Sequence, residues 1–397
     1  MDLRTFLRRA GAGAGACTLG AGLVLAAAPA TASAPPAAPA ATAPDPAATD
    51  PAATVGLGPV GLPFFWPNNY LYDVAAASPD SVWIGGVQGE LIVPGPIPGT
   101  GKSIPGNPVV RRWKSGRWVE YDLGGLSRHG TITGVHAAGP EDVWINGIRY
   151  LDGSPERGYP SEPYVARFTG TAFTEVELPA GARSAGLRVD GSNVWLRSSG
   201  GIYRRTGDAW THVASSPFPE GHAAIDHVRA DDDIWMLGEA DRYGGDLVAR
   251  HFDGRGWRDV PVEQPPGSAG IVDVLALSPS EAWAVGTNYR TSPATPVLMR
   301  WDGTTWASVE PPAGLNSLNE LAAGADGTLW ALGHSLHEPA EPGLLRLDGG
   351  TWRRVRATPV PNRSNFHGDA LAVVPGTGDL WMLGSVNVGG PVVLSSR

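Results

Sequence analysis

Seven tryptophans recur along this chain inside one short pattern, and they constrain its fold more than any other feature. Each follows a turn rich in Pro, Gly, Asp, Asn or Ser, as in Ser78-Pro-Asp-Ser-Val-Trp83. These residues supply turn geometry, so a strand is expected directly after the turn. Gly lies three residues beyond the Trp in six of the seven copies, where this strand should end. The seven are Trp83, Trp144, Trp195, Trp235, Trp283, Trp330 and Trp381, at intervals of 61, 51, 40, 48, 47 and 51 residues.

A second pattern follows six of these tryptophans. Apolar residues precede an Arg, then an aromatic residue or Leu, a Gly turn and another aromatic residue, as in Leu298-Met-Arg-Trp-Asp-Gly-Thr-Thr-Trp306. This arrangement is typical of a hairpin with a tight turn. The copies span residues 110–118, 165–173, 203–210, 249–257, 298–306 and 345–352. Each repeat therefore holds four short strands, and a four-stranded unit of this length predicts an all-β, seven-bladed β-propeller over residues 55–397.

The seventh repeat has residues for only three strands before the chain reaches Arg397. A ring that lacks a strand exposes unpaired backbone groups at its edge. The apolar segment Leu62-Pro-Phe-Phe-Trp66 lies just before the first repeat. We therefore predict that Leu62–Trp66 supplies the fourth strand of the last blade.

The first residues have the character of an export signal. A basic start that includes Arg8 and Arg9 precedes an Ala/Gly/Leu stretch and the cleavage pattern Ala30-Thr-Ala-Ser-Ala34. Residues 1–34 are predicted to be a signal peptide, too short and Gly-rich in its apolar part for a membrane span, and residues 35–54 an Ala/Pro-rich disordered linker. The twin-arginine route and a lipid anchor at Cys17 are alternatives. The expected location is secreted, and the mature protein, without Cys, would hold no disulfide.

Composition argues against one class of partner. The formal net charge is −9, and no dense basic stripe is present. An acidic surface repels phosphate backbones, so a nucleic acid is not expected as a partner.

The repeats resemble the kelch and sialidase-like propeller repeats and the Trp-rich lectin propellers. The likeness covers residues 62–397 and lies in repeat form, so it implies the fold and says little about activity. Gly85-Gly86 is the only doublet at the position where kelch repeats carry one. Asp302-Gly-Thr-Thr-Trp306 is one residue shorter than the sialidase Asp-box, and the single Trp301-Asp302 pair does not support a WD40 repeat.

Long, variable segments fall in two of the four loop classes, those before the first strand and after the second strand of each blade. In a propeller these loops share one face, around the mouth of the central channel, and loops on a rigid scaffold commonly carry binding residues. Polar residues recur there, at the start of the innermost strand and at the end of the second; Asn69 and Ser268 belong to the first group. The predicted ligand-binding residues are His129, Arg183, His222, Asn316, His367, Tyr243, Asn288, Tyr289, Arg290 and His334. The alternative is that these are ordinary solvated loop residues.

Three other groups of residues are candidate sites. His334, His337 and Glu338 could bind a metal together with histidines across the mouth, but no helix aligns them, and no metal or cofactor is predicted. Asp231-Asp-Asp233 is a candidate Ca²⁺ site, although a solvated turn is the preferred interpretation. The repeated arginines could clamp a substrate, although pairing with turn acids or stacking on Trp within each blade is the preferred interpretation. They are Arg112, Arg167, Arg204, Arg300 and Arg346.

Sequence signatures of enzymes are mostly missing. The chain contains no Gly-x-Ser-x-Gly, His-Glu-x-x-His or P-loop pattern. The sequence therefore favours an exported, monomeric, non-enzymatic protein that binds a glycan or a cell-surface protein through the loop-rich face. A secreted glycoside hydrolase or lyase at the channel mouth, with acids such as Asp152 and Glu156, and a protein–protein scaffold are the alternatives.

Overall fold

A computed structural model describes residues 54–94, 102–126, 129–155, 157–219, 222, 224–241, 245–265, 270–335, 341–358, 366–386 and 390–397. These residues form seven antiparallel blades of four strands arranged as a ring, the all-β seven-bladed propeller that the repeats predict, and one further short strand extends the sheet of blade 6. The predicted signal peptide and nearly all of the predicted linker lie outside the described residues. No helical segment in the described ranges has the length and apolar character of a membrane-spanning helix.

The strands follow the repeats closely. Two short strands come first, β1 (Thr54–Val55) and β2 (Gly58–Val60). Blade 1 has β3 (Tyr70–Ser78), β4 (Ser81–Gln88), β7 (Asn107–Lys114) and β8 (Arg117–Glu120), with a small hairpin, β5 (Leu91–Val93) and β6 (Lys102–Ile104), in its long loop. Blade 2 has β9 (Gly130–Gly139), β10 (Asp142–Tyr150), β11 (Ser161–Phe168) and β12 (Phe173–Glu175). Blade 3 has β13 (Gly186–Asp190), β14 (Asn193–Ser198), β15 (Gly201–Thr206) and β16 (Ala209–Ala214).

The remaining blades have the same order. Blade 4 has β17 (Ala224–Ala230), β18 (Asp233–Glu239), β19 (Leu247–Phe252) and β20 (Trp257–Val260). Blade 5 has β21 (Gly270–Ser278), β22 (Glu281–Asn288), β23 (Thr295–Trp301) and β24 (Trp306–Ser308). Blade 6 has β25 (Leu315–Ala323), β26 (Leu329–Ser335), β27 (Gly343–Asp348) and β28 (Thr351–Ala357). Blade 7 has β29 (Phe366–Val373), β30 (Leu380–Val386) and β31 (Gly390–Ser395), and β2 is its outermost strand.

The fourth strand of blade 7 is therefore Gly58–Val60, which pairs antiparallel with β31. The predicted segment Leu62–Trp66 was wrong for this role, because it forms no strand. The upstream strand β1 pairs in parallel with β28 at the edge of blade 6, and Leu57 between the two strands is 3% exposed. Residues 54–60 thus join the outer edges of two neighbouring blades.

The seven marker tryptophans lie in the second strand of each blade and are at most 7% exposed. Several pack against aromatic side chains of the next blade: the ring centroid of Trp235 lies 4.8 Å from that of Trp301, and Trp381 lies 5.7 Å from Trp113. Fully burying one Trp contributes up to about 4–6 kcal/mol from its area. The repeat is therefore explained by packing between blades.

The repeated arginines lie directly opposite marker tryptophans in the adjacent strand. The guanidinium of Arg112 lies 5.2 Å from the Trp83 ring centroid, and its nitrogen lies 2.9 Å from a Glu141 oxygen. Arg204 pairs with Asp231 at 2.8 Å. The structural interpretation of these arginines is confirmed, with one refinement: Glu141 and Asp231 belong to the next blade, so these pairs also join blades.

The sequence predicts that the second strand ends at the glycine three residues after the marker Trp. This prediction was wrong, because the second strand continues past that glycine in all six blades that carry it. In five of those blades a Cβ atom at this position would lie 2.0–2.3 Å from a carbonyl oxygen of the innermost strand. These five glycines are Gly86, Gly147, Gly286, Gly333 and Gly384. They are required because two backbones approach closely there.

Candidate functional site

Bulges shape the channel side of the ring. In five blades the pairing register between the innermost and second strands skips one residue of the innermost strand close to the glycine just described: Tyr72, Thr133, Val272, Asn319 or Asp369. Blade 6 has a second bulge at Asn316. A bulge bends the strand and redirects side chains. All of these residues except Thr133 line a single cavity.

In the middle of the channel, two carboxylates link neighbouring innermost strands. The Asp73 carboxylate accepts hydrogen bonds from the backbone N–H groups of Val74 and of Val135 in blade 2, both at 2.9 Å. Asp273 accepts in the same way from Val274 at 2.9 Å and from Leu321 of blade 6 at 2.8 Å. Each carboxylate thereby joins two adjacent innermost strands. This region is built to hold the ring together.

A cavity of about 720 Å³, here called the mouth cavity, opens on the loop-rich face between blades 5, 6, 7 and 1. Its wall combines ends of second strands with beginnings of innermost strands. The volume lies within the range of about 300–1,000 Å³ that is typical of small-molecule sites.

Four polar atoms in the wall of the mouth cavity are buried and form no hydrogen bond with any described residue. They are Asn69 Oδ1, Thr287 Oγ1, Asn316 Oδ1 and His334 Nε2. Buried polar groups in native proteins are nearly always hydrogen-bonded, and an unmade bond costs about 1–3 kcal/mol. The wall of the mouth cavity therefore holds four hydrogen-bonding atoms without a partner among the described residues.

Two histidines stack at one side of the mouth cavity. The ring centroids of His334 in blade 6 and His367 in blade 7 are 4.1 Å apart, with planes inclined by 31°. Burial, and secondarily the proximity of His367, lowers the pKa of His334 to about 4. His334 is therefore neutral at ordinary pH, so its ring presents one donor and one acceptor nitrogen.

Aromatic side chains border the mouth cavity as well. Tyr289 is 59% exposed and Tyr70 is 38% exposed, and both contribute to its wall. A cavity with polar atoms in its wall and exposed rings at its border suits a ligand with both hydroxyl groups and apolar faces.

Four of the ten residues predicted to bind a ligand meet in the mouth cavity: Tyr289, Asn316, His334 and His367. Asn288 and Arg290 are neighbours of Tyr289 but outside the wall; Asn288 is 2% exposed, and its Oδ1 accepts from the Arg290 backbone N–H at 3.0 Å. Asn288 thus shapes its own loop.

Three predicted residues lie on the same face but away from the mouth cavity. His129 Nδ1 is 3.0 Å from the carbonyl oxygen of Pro105, the Arg183 backbone N–H donates to Ser199 Oγ at 3.2 Å, and the His222 N–H donates to the carbonyl oxygen of Pro219 at 3.1 Å. None of these three residues lines the mouth cavity. Tyr243, together with Ser268, His337 and Glu338, lies outside the described residues.

The wall of the mouth cavity also contains four residues that were not predicted from the sequence: Thr287, Tyr70, Glu320 and Asp369. Glu320 lies ten residues before its marker Trp, the same offset as Asp73 and Asp273, and this shared offset could have drawn attention to it. The bulges give no comparable signal in the sequence.

Among the described residues, no group of three or more His, Cys, Asp or Glu side chains is arranged to hold a metal ion. The Asp231–Asp233 turn has protein partners: Asp231 Oδ1 accepts from Trp195 Nε1 at 2.8 Å, and Asp233 Oδ1 lies 2.8 Å from His251 Nε2. Asp233 is 3% exposed, so the prediction of a solvated turn was wrong for it.

Two solved structures are similar to this chain over most of its length. One is YCF48 from Cyanidioschyzon merolae, with 14% identity, a TM-score of 0.53, and coverage of 85% of this chain and 98% of that one. The other is the GH74 xyloglucanase from Xanthomonas campestris, with 17% identity, a TM-score of 0.53 and coverage of 85% of this chain. This chain spans 53% of the xyloglucanase's length. No protein-family model matches the sequence, and no curated protein does. At these identities the likeness shows the propeller fold alone.

Proposed function

We propose that this protein is an exported, non-enzymatic binding protein that recognises a glycan in the mouth cavity. The observation that carries the proposal is the set of four buried polar atoms without partners, on Asn69, Thr287, Asn316 and His334. Sugar hydroxyl groups both donate and accept, so they can satisfy carbonyl, hydroxyl and imidazole groups at once. The rings of Tyr70 and Tyr289 at the border suit the apolar faces of pyranoses.

The test is a glycan array probed with the wild-type protein and with Asn316→Ala/His334→Ala. We expect the wild type to bind a defined set of glycans and the double variant to lose that binding. His222→Ala is the matched control, because His222 lies on the same face, also has a buried partnerless nitrogen, and does not line the mouth cavity. Equal binding by wild type and double variant would overturn the proposal.

A second candidate is glycoside hydrolysis at the same cavity. Glu320 and Asp369 both line it, and a pair of carboxyl groups is the usual machinery of this reaction. The structural similarity to the xyloglucanase from Xanthomonas campestris is a further reason to test this candidate function. Incubation with the bound glycan, followed by chromatography of the products, separates the two: Glu320→Gln or Asp369→Asn would abolish product release by a hydrolase, whereas a binding protein releases none at any time.

Export and location follow from the predicted signal peptide. The pattern Ala30-Thr-Ala-Ser-Ala34 supports cleavage near residue 34. We expect protein recovered from the medium of an expressing bacterial culture to begin shortly after this pattern. N-terminal sequencing that finds Met1 on the exported protein would contradict it.

A further inference from the structure

Exposed large apolar side chains are confined to one face of the described structure. Six of the eight belong to the approach to blade 1 and its long loop: Phe64, Trp66, Tyr70, Leu91, Ile92 and Val93. The other two are Tyr289 at the mouth cavity and Leu151 in the corresponding loop of blade 2. Exposed apolar side chains that cluster in one patch mark an interaction or ligand-binding site, whereas single exposed apolar residues are normal.

Phe64 and Trp66 are the most exposed of the set, at 77% and 60%, and their ring centroids are 5.8 Å apart in an edge-to-face arrangement. Phe65 between them points inward, with 9% exposure and the Arg111 guanidinium 5.6 Å from its ring centroid. The alternation presents two rings to solvent and anchors the segment through the third. We call Phe64 and Trp66 the aromatic platform.

The backbone under the aromatic platform is fixed at several points. The Trp66 N–H donates to Gln88 Oε1 at 3.0 Å, and the Gly89 N–H donates to the carbonyl oxygen of Pro67 at 3.1 Å. At the outer end, Trp118 Nε1 donates to the carbonyl oxygen of Gly61 at 2.8 Å. Rings held on such a backbone lose little freedom when a ligand binds, which favours affinity.

The aromatic platform is continuous with the mouth cavity. Asn69 Nδ2 donates to the carbonyl oxygen of Trp66 at 2.9 Å, while Asn69 Oδ1 is one of the four unpartnered atoms in the cavity wall. Between Gly61, beside the outermost strand β8, and Tyr70, which begins the innermost strand β3, the segment crosses the top of blade 1. A ligand that leaves the mouth cavity along this segment would meet Trp66 and then Phe64.

We infer that the ligand is a chain of pyranose units: its end occupies the mouth cavity and further units stack on the aromatic platform. The inference rests on the proposed function and extends it from a glycan of unstated size to an oligosaccharide or polysaccharide. Ring faces with equatorial hydroxyl groups fit best, because their C–H groups can lie flat against an indole. The unpartnered hydrogen-bonding atoms of the adjoining cavity favour this occupant over an apolar protein surface.

The test uses β-1,4-linked gluco-, xylo- and manno-oligosaccharides of two to six units, titrated calorimetrically into the full-length protein. We expect affinity to rise with chain length for at least one series. Trp66→Ala should weaken binding of the longer members roughly three- to tenfold and leave the shortest binding member unchanged. Trp66→Phe should retain part of the gain, and Leu151→Ala, an exposed apolar residue on the neighbouring blade, should bind like the wild type.

The outcomes separate the inference from the function beneath it. If the wild type binds and Trp66→Ala shows the same dependence of affinity on chain length, the role of the aromatic platform is overturned. The proposal of glycan binding in the mouth cavity would still stand. Binding of no series by the wild type overturns the inference, whereas the glycan proposal itself is decided by the array. A wild-type protein that binds no oligosaccharide but forms a complex with another protein, lost in Trp66→Ala, would assign the aromatic platform to a protein partner and also overturn the inference.

Discussion

Replacing Asp273 with Ala tests how the propeller holds its blades together. The Asp273 side chain is 7% exposed, and it accepts hydrogen bonds from the N–H groups of Val274 and Leu321, the second in the next blade. Ala leaves both N–H groups buried without an acceptor, at about 1–3 kcal/mol each, or about 4 kcal/mol together. The propeller has about 340 residues, so its unfolding entropy at the midpoint is about 0.7 kcal/mol/K. The melting temperature should fall by about 6 °C.

Differential scanning calorimetry at neutral pH measures this shift directly. Asp73→Ala removes the equivalent acceptor between blades 1 and 2 and should cost a similar amount. Asp208→Ala is the control, since the Asp208 side chain is fully exposed and its pairing with Arg205 should contribute little. A melting temperature for Asp273→Ala within about 1 °C of that of Asp208→Ala would refute this account of the channel.

Three further expectations concern stability. Gly286→Ala puts a Cβ 2.2 Å from the Gly270 carbonyl oxygen and should lower the free energy of unfolding by at least about 2 kcal/mol, whereas Gly256→Ala, with open space around it, should be near neutral in the same urea titration. Leu57→Ala should cost about 2–4 kcal/mol, because this 3% exposed side chain packs between the strands that join blades 6 and 7; calorimetry showing no loss would contradict that joining role. The pKa of His334 is about 4 in the folded protein, whereas the ordinary value for histidine is 6.5. Between these two pH values the His334 ring is protonated in the unfolded chain but not in the folded protein. The free energy of unfolding should therefore fall as the pH drops from about 6.5 to about 4. Melting curves of wild type and His334→Asn at pH 7.5 and 4.5 check this, with a smaller drop expected in the variant.

The fold could be predicted from the sequence because each blade repeats the same packing problem. A marker Trp must be buried between sheets, and a hairpin must turn tightly, so each blade repeats residues such as Trp283 and the Asp302-Gly303 turn. The closing strand was placed a few residues too late, because Leu62–Trp66 looks more apolar than Gly58–Val60. The latter is a strand because its backbone pairs with β31, and such pairing depends little on side-chain character.

The candidate site was predictable only in part. The loop-rich face and the strand ends could be located by counting from each marker Trp, which led to Asn316, His334 and His367. Which blades contribute to a cavity depends on bulges such as those at Asn316 and Asn319, and a bulge follows from the local fit of two backbones that a single sequence does not display. His129, Arg183 and His222 also precede or begin an innermost strand, but they belong to blades 2, 3 and 4 and do not line the mouth cavity.

A crystal structure of the protein with the strongest-binding glycan from the array is the most direct test of glycan recognition in the mouth cavity. We expect sugar hydroxyl groups within hydrogen-bond distance of Asn316 Oδ1 and His334 Nε2, with a ring of the ligand against Tyr289 or Tyr70. A glycan bound elsewhere on the propeller, with these atoms untouched, would contradict it.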